Sequence, residues 1–163
     1  MEFQLAPITI EDAEVMIELF PDFKESALAV SFEKQEPDAF FEAVLAREES
    51  YPNVIVKNRS GYTMGFSLLH PNRSVPAISK AAEITCFVRP NYAGRGLKDP
   101  MLRFLIAKAE KMDFEYLVTG VSSRDEDGLR SLMKLGFIEH ERTRFADDEG
   151  GRTFEKVWMQ KKL

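Results

Sequence analysis

The segment PNYAGRGLKDPML, residues 90–102, closes a strand and opens a helix within one short turn. The backbone N–H groups of Gly94, Arg95, Gly96, Leu97, Lys98 and Asp99 fall where a helix has no earlier carbonyls to pair with, and such a helix start attracts anions. Gly94 and Gly96 let the backbone approach a bulky anion, and Pro100 suits the first helical turn because no donor is lost there. The ligand this pattern favours is a pyrophosphate. Lys98 stands where a third glycine would be easiest to accommodate. Turned outward, its ammonium adds positive charge beside the phosphates; the plainer reading is a solvated lysine at a helix start. Gly-x-Gly turns are common, so the motif gains meaning only from its surroundings.

Other reactive residue types are sparse. The single cysteine, Cys86, excludes an internal disulfide, and His70 and His140 are too far apart in sequence to form a metal-ligand spacing. No metal is expected. Cys86 lies in an apolar strand and reads as core, with no histidine nearby in sequence to activate it. His70 ends a strand beside Pro71 and reads as structural. A net charge of -5 argues against a nucleic-acid footprint and is compatible with a cationic small molecule or basic peptide. No stretch approaches the roughly 20 apolar residues of a membrane span, and MEFQLAPITIEDAE lacks a signal-peptide pattern, so the expected location is the cytoplasm.

The elements that must position these residues follow from periodicity. With 163 residues, 44% of them apolar, the chain is expected to form one domain over residues 1–163. FQLAPIT (3–9) alternates weakly as a strand, and TIEDAEVMIELF starts a helix at Thr9 or Asp12. PDFKESALAVSFEKQEPDAF is irregular until Pro37-Asp38 introduces a second helix, with Phe41, Val44 and Leu45 on one face. NVIVKN (53–58) and YTMGFSLLH (62–70) form a hairpin around Arg59-Ser60-Gly61. AAEITCFV (81–88) is the next strand, followed by a helix from about Pro100 to Lys111. EYLVTGVSS (115–123) is a buried strand, DEDGLRSLMKLG (125–136) a helix closing at Gly136, and FIEHERTRF and RTFEKVWMQ (152–160) two strands joined by a hairpin turn at DDEGG. The order β-α-α-β-β-β-α-β-α-β-β predicts an α/β (α+β) fold, a mixed sheet with helices on its faces. Phe20, Phe23, Phe40 and Phe41 are expected in the core.

The run AAEITCFVRPNYAGRGLKDPMLRFLI, with SRDEDGLRSLMKLGF about thirty residues later, resembles the GNAT superfamily of acyl-CoA-dependent N-acyltransferases. In that family's Gln/Arg-x-x-Gly-x-Gly/Ala loop, Ala93, Gly96 and Lys98 occupy the defining places, and Gly96 alone matches. Gly65 and Leu135-Gly136-Phe137 also look like family features. The resemblance implies a mostly antiparallel sheet in which two parallel strands, here residues 83–89 and 115–121, splay apart to admit acetyl-CoA. Pantetheine amides would then pair with the backbone near Phe87 and Val88, where a backbone N–H would also polarise the thioester carbonyl. Gly94 to Asp99 would hold the pyrophosphate.

The activity so implied is transfer of acetyl from acetyl-CoA to a primary amine of a small molecule or peptide. The attacking amine must first lose a proton. Glu83 stands where many members carry a strand glutamate that takes it; the plainer reading is a surface glutamate at a strand start. The usual tyrosine acid is replaced by Leu132, and the usual helix-start asparagine by Asp125, which can still cap the helix but would repel a phosphate facing it. Those departures keep a second reading open, a CoA-binding or regulatory module with reduced turnover. A nucleotide-binding domain of dinucleotide type fits less well, because the GxGxxG spacing is missing and a three-strand meander precedes the loop. Residues 20–32 lie where the family builds its acceptor pocket, and a homodimer through the C-terminal strands is compatible with the pattern. The acidic first helices would suit a cationic amine or simply face solvent.

Overall fold

The structure is a computed structural model that describes residues 1–28, 30–146 and 153–163. Seven strands make one sheet: β1 Phe3–Ala6, β2 Asn53–Asn58, β3 Thr63–Pro71, β4 Ala81–Val88, β5 Tyr116–Ser122, β6 Ile138–Ala146 and β7 Thr153–Lys162. Their order is β1-β2-β3-β4-β5-β7-β6. Every neighbouring pair is antiparallel except β4 and β5. A parallel pair needs a long crossover, and the helix α3, Lys98–Glu110, supplies it. The expected turn at DDEGG lies outside the described residues.

The helices cover the two faces of the sheet. On one, Met101, Leu102, Leu105, Ile106 and Ala109 of α3, with Leu132 of α4 (Glu126–Lys134), pack on Val54, Met64, Ala82, Ile84, Leu117 and Met159. On the other, α1 (Ala13–Ser26) and α2 (Pro37–Ala46) bury a phenylalanine cluster against Ile55, Phe66, Leu68 and Phe87. Phe20 stacks on Phe40 with ring centroids 4.5 Å apart, and Phe23 lies 5.0 Å from Phe66. Each such side chain stabilises the fold by about 1.5–3 kcal/mol through burial, and the ring pairs add to that. The expected core phenylalanines are all buried.

Three elements depart from the sequence reading. The first strand stops at Ala6, ahead of Pro7, which has no N–H for a ladder. The first helix does not end near Phe20 but runs through Pro21 to Ser26. Phe20 and Phe23 flank the proline and are both buried, and this anchoring outweighs the hydrogen bond the proline forgoes. The third helix begins at Lys98, two residues before Pro100. Pro100 is tolerated there because the first four N–H groups of a helix have no intrahelical partner. Ahead of α1, the buried Asp12 accepts the Thr9 backbone N–H at 2.8 Å and pairs with Lys57 of β2, fixing the helix entry to the sheet.

No helix among the described residues is long and apolar enough to cross a membrane.

Gly65 has a packing reason for its identity. It pairs with Val88 beside a register shift between Val56 and Lys57, and a Cβ at Gly65 would stand 2.4 Å from the Phe87 carbonyl oxygen. A backbone atom cannot swing aside as a side-chain end can. Gly65→Ala is therefore expected to destabilise the fold by about 1–3 kcal/mol, measured by denaturant unfolding, through displacement of β4.

Candidate functional site

The parallel ladder is short. Ala81, Ala82 and Glu83 pair with Tyr116, Leu117 and Val118, and the pairing ends there. Beyond it, β4 stays bonded to β3 as far as Val88, and β5 to β7 as far as Ser122. The facing edges of residues 84–88 and 119–122 are thus left without each other, and a cleft of about 1190 Å3 opens between them. The predicted splay, at residues 83–89 and 115–121, is where the strands part.

Glu83 lies at the closed end of this cleft, Phe87 and Val88 along one wall, and Gly94, Gly96, Leu97, Lys98, Asp99 and Asp125 toward the other end. Arg95 is the exception among the expected residues: it turns away and lies over the Tyr92 ring, 5.2 Å from its centroid. The Phe87 side chain belongs to the phenylalanine cluster, so only its backbone edge is offered to the cleft. Leu132, at the place of the family's tyrosine, lines the cleft and is buried. Among the described residues, no group of three or more His, Cys, Asp or Glu side chains is arranged to hold a metal.

The glycine loop is built as an anion cradle. Gly94 and Gly96 have φ of +74° and +77°, with open space where a Cβ would be. Among the described residues, no hydrogen bond is donated by the backbone N–H groups of Gly94, Arg95, Gly96 or Leu97. Four free donors ahead of a thirteen-residue helix suit a pyrophosphate. Lys98 reaches across the cleft to Asp125, Nζ to Oδ2 3.7 Å, while Asp125 Oδ1 accepts the Gly128 N–H at 2.9 Å and caps α4. Asp99 turns its carboxylate along the helix to Arg103, 3.0 Å away. The negative charges beside the loop are thereby engaged by cations.

Glu83 is not the surface glutamate of the plainer reading; it is 1% exposed. One carboxylate oxygen accepts the Ser74 N–H at 3.3 Å, and the other, Oε2, faces His70 Nδ1 at 3.5 Å. Burial raises its pKa to about 7, with the Ser74 hydrogen bonds opposing. His70 is buried too, its Nε2 2.7 Å from Thr85 Oγ1. Burial lowers its pKa to about 3; the Pro71 carbonyl opposes, and Arg47 and Arg73 add to the lowering. Sequence reasoning set His70 aside. The signal was the strand alternation: Phe66, Leu68 and His70 share one face of β3, and register places His70 opposite Glu83. Cys86 packs against the core as expected, and it also borders the cleft. It is half-buried, and burial pushes its thiol up to about 11.

The Acetyltransferase (GNAT) domain family model matches residues 2–138. Phosphinothricin N-acetyltransferase of Streptomyces coelicolor is 23% identical over 166 residues, covering 99% of this chain and 97% of the relative. The L-amino acid N-acyltransferase MnaT of Escherichia coli is 29% identical over 126 residues, 77% of this chain and 71% of the relative. Among solved structures, the yncA protein of Salmonella typhimurium with its cofactor acetyl-CoA superposes with a TM-score of 0.82 at 21% identity, covering 100% of this chain and 95% of that one. The Sinorhizobium meliloti phosphinothricin acetyltransferase in complex with acetyl-CoA gives 0.77 at 18% identity, covering 100% and 89%. At such identities the solved structures speak for the fold.

The burial of Glu83 has a consequence for stability. Its folded pKa is raised from 4.5 to about 7, so the folded state holds the proton more tightly than the unfolded chain. The contribution is complete below pH 4.5 and is lost as pH rises through about 7. His70 runs the other way, losing stability as pH falls from 6.5 toward 3. Comparison of the wild type with Glu83→Gln isolates the first effect. The wild type should lose on the order of 3 kcal/mol relative to the variant between pH 4.5 and pH 7 and little above, read from urea unfolding at each pH.

Proposed function

The chain belongs to the GNAT acetyltransferase family and is an acetyl-CoA-dependent N-acetyltransferase; from that premise we propose that it acts as one domain, residues 1–163, on the amino group of an amino-acid-sized small molecule, with Glu83 as the base. The observation that carries the proposal is the parting of β4 and β5 immediately beyond Glu83, which sets a buried carboxylate at the closed end of a cleft and an anion cradle at the other. Relatives bearing the names L-amino acid N-acyltransferase and L-methionine sulfoximine/L-methionine sulfone acetyltransferase support an amino-acid-like acceptor. Asp22 and Glu25, near the end of α1, line the same cleft and favour an incoming ammonium.

Bound acetyl-CoA supplies an activated acetyl group as a thioester. The residues fit it: the backbone edge of Phe87 and Val88 is turned away from β5, the N–H groups of Gly94, Gly96, Leu97, Lys98 and Asp99 face no competing partner among the described residues, and the Lys98 ammonium stands beside them. Asp125 contributes the cap of α4 and a carboxylate that holds Lys98 in place. Arg95 supports the loop from outside by packing on Tyr92. Glu83 removes the proton that makes the acceptor an ammonium. A carboxylate of ordinary pKa would be a poor base for an amine, and the raised value improves the match.

Turnover should be visible as release of free CoA thiol when acetyl-CoA is mixed with a panel of amino acids, amino-acid analogues, polyamines and peptides. Acetylation confined to peptides would overturn the small-molecule reading. The rate should rise with pH through about 7 and then level, following ionisation of Glu83. Glu83→Gln should lower kcat by roughly 100-fold or more with acetyl-CoA affinity little changed. Wild-type turnover in that variant would move the base elsewhere.

The loop is tested separately by calorimetry. Lys98→Ala should weaken CoA by about 1.5–3 kcal/mol, a charge-assisted hydrogen bond's worth. Asp125→Asn keeps an oxygen for the Gly128 N–H and removes the competing charge, so CoA should bind more tightly while stability changes little.

A further inference from the structure

We infer that His70 is a positioning residue of the reaction, coupling the protonation of Glu83 to the hydroxyl of Thr85 by exchanging one imidazole tautomer for the other. The inference builds on Glu83 as the base but stands on its own geometry.

His70 touches both groups. Its Nδ1 faces Glu83 Oε2 at 3.5 Å and its Nε2 lies 2.7 Å from Thr85 Oγ1. Oε2 has no hydrogen-bond partner among the described residues, and the group that competes with it for a ring N–H is the Pro71 carbonyl. The ring is wedged edge-on against Phe32, centroids 4.8 Å apart, and both polar side chains project from the same face of β4. The charged groups acting on the ring besides Glu83 are Arg47, after α2, and Arg73, after β3. Both disfavour an imidazolium. Gln35, Tyr51 and Asn53 line the same pocket.

A neutral imidazole has one N–H donor and one acceptor nitrogen. When Glu83 is ionised it can only accept, so Nδ1 carries the hydrogen and Nε2 accepts the Thr85 O–H. When Glu83 has taken a proton it donates to Nδ1, so the ring hydrogen sits on Nε2 and points at Thr85 Oγ1. The threonine keeps one hydrogen throughout, now free of Nε2 and able to point into the cleft. Thr85 lines the cleft, so it offers lone pairs while Glu83 is a base and a donor once Glu83 has become an acid. An arriving amine needs acceptors; the group that leaves as a thiolate needs donors. One proton at Glu83 thus resets the polarity of a second side chain, with no net charge added to the ring.

The test reads the ring directly in the enzyme without substrates. Nitrogen NMR of protein labelled at histidine has two side chains to resolve, His70 and the exposed His140, and His140→Gln identifies the remaining signal. On raising pH from about 5 to about 9, His70 should pass from the Nε2–H to the Nδ1–H tautomer around the Glu83 midpoint near 7, never showing an imidazolium signal, and the exchange should vanish in Glu83→Gln. A single tautomer throughout, with Nδ1–H resting on the Pro71 carbonyl, or an imidazolium in that range, overturns the inference. His70→Gln should lower kcat tenfold or more and displace the pH–rate limb while leaving KM for acetyl-CoA in place; an unmoved limb also overturns it. Failure of the base reading looks different: Glu83→Gln would turn over normally, whatever the ring does.

Discussion

Parallel strands hold together only while their register and twist agree, and here they agree for three residue pairs. The residues that line the cleft are arranged around the place where β4 and β5 stop bonding. Because β4 continues on β3 and β5 on β7, the break costs neither strand its other neighbour. The unsatisfied edges are instead exposed to a cleft, which in a folded protein is tolerable where a ligand or solvent can complete them. The same break fixes Glu83 as the last paired residue of β4 and so places a carboxylate at the inner end of the opening.

The two helical layers have different tasks around that break. On one face, α3 carries the chain from β4 to β5 and its buried stripe of Met101, Leu102, Leu105, Ile106 and Ala109 locks the helix down, so that its free N-terminus is held over the cleft. The opposite face is organised by aromatic packing. Phe23 contacts Phe32, Phe40, Phe66 and Phe87, and Phe32 reaches His70. Packing in that cluster holds the imidazole edge-on to Phe32 and beside the Glu83 carboxylate. Burial raises one proton affinity and lowers the other, so around neutral pH the imidazole stays uncharged and the carboxyl is the group of the pair that titrates.

Much of this was legible in the sequence, because the informative features are local. The glycines before a helix start, the buried strand runs and the punctuation by Pro37 and Gly136 depend on a few neighbouring residues, and the order of elements along the chain followed from them, while the splayed parallel pair was implied by the family resemblance. What was not legible depends on distant pairs. Helix α1 passes Pro21 because Phe20 and Phe23 find partners on α2 and β3, which no local propensity encodes. His70 acquires meaning only from the register that sets it opposite Glu83 across a long connection. Lys98 and Asp125 meet only because α3 and α4 both begin at the cleft mouth. Cys86 was read as core from its apolar strand and does pack there, but the end of the β4–β5 ladder also makes it part of the cleft wall, which no local pattern encodes.

That cysteine has a bearing on redox chemistry. Each catalytic cycle of an acetyl-CoA-dependent enzyme ends with a coenzyme carrying a bare sulfhydryl, and the cleft between β4 and β5 has a sulfhydryl in its own wall. Mixed-disulfide formation requires a thiolate. With its ionisation pushed up to about 11, Cys86 is deprotonated in roughly one molecule in ten thousand at neutral pH. The burial that raises its ionisation therefore makes Cys86 a slow partner for a coenzyme thiol or disulfide.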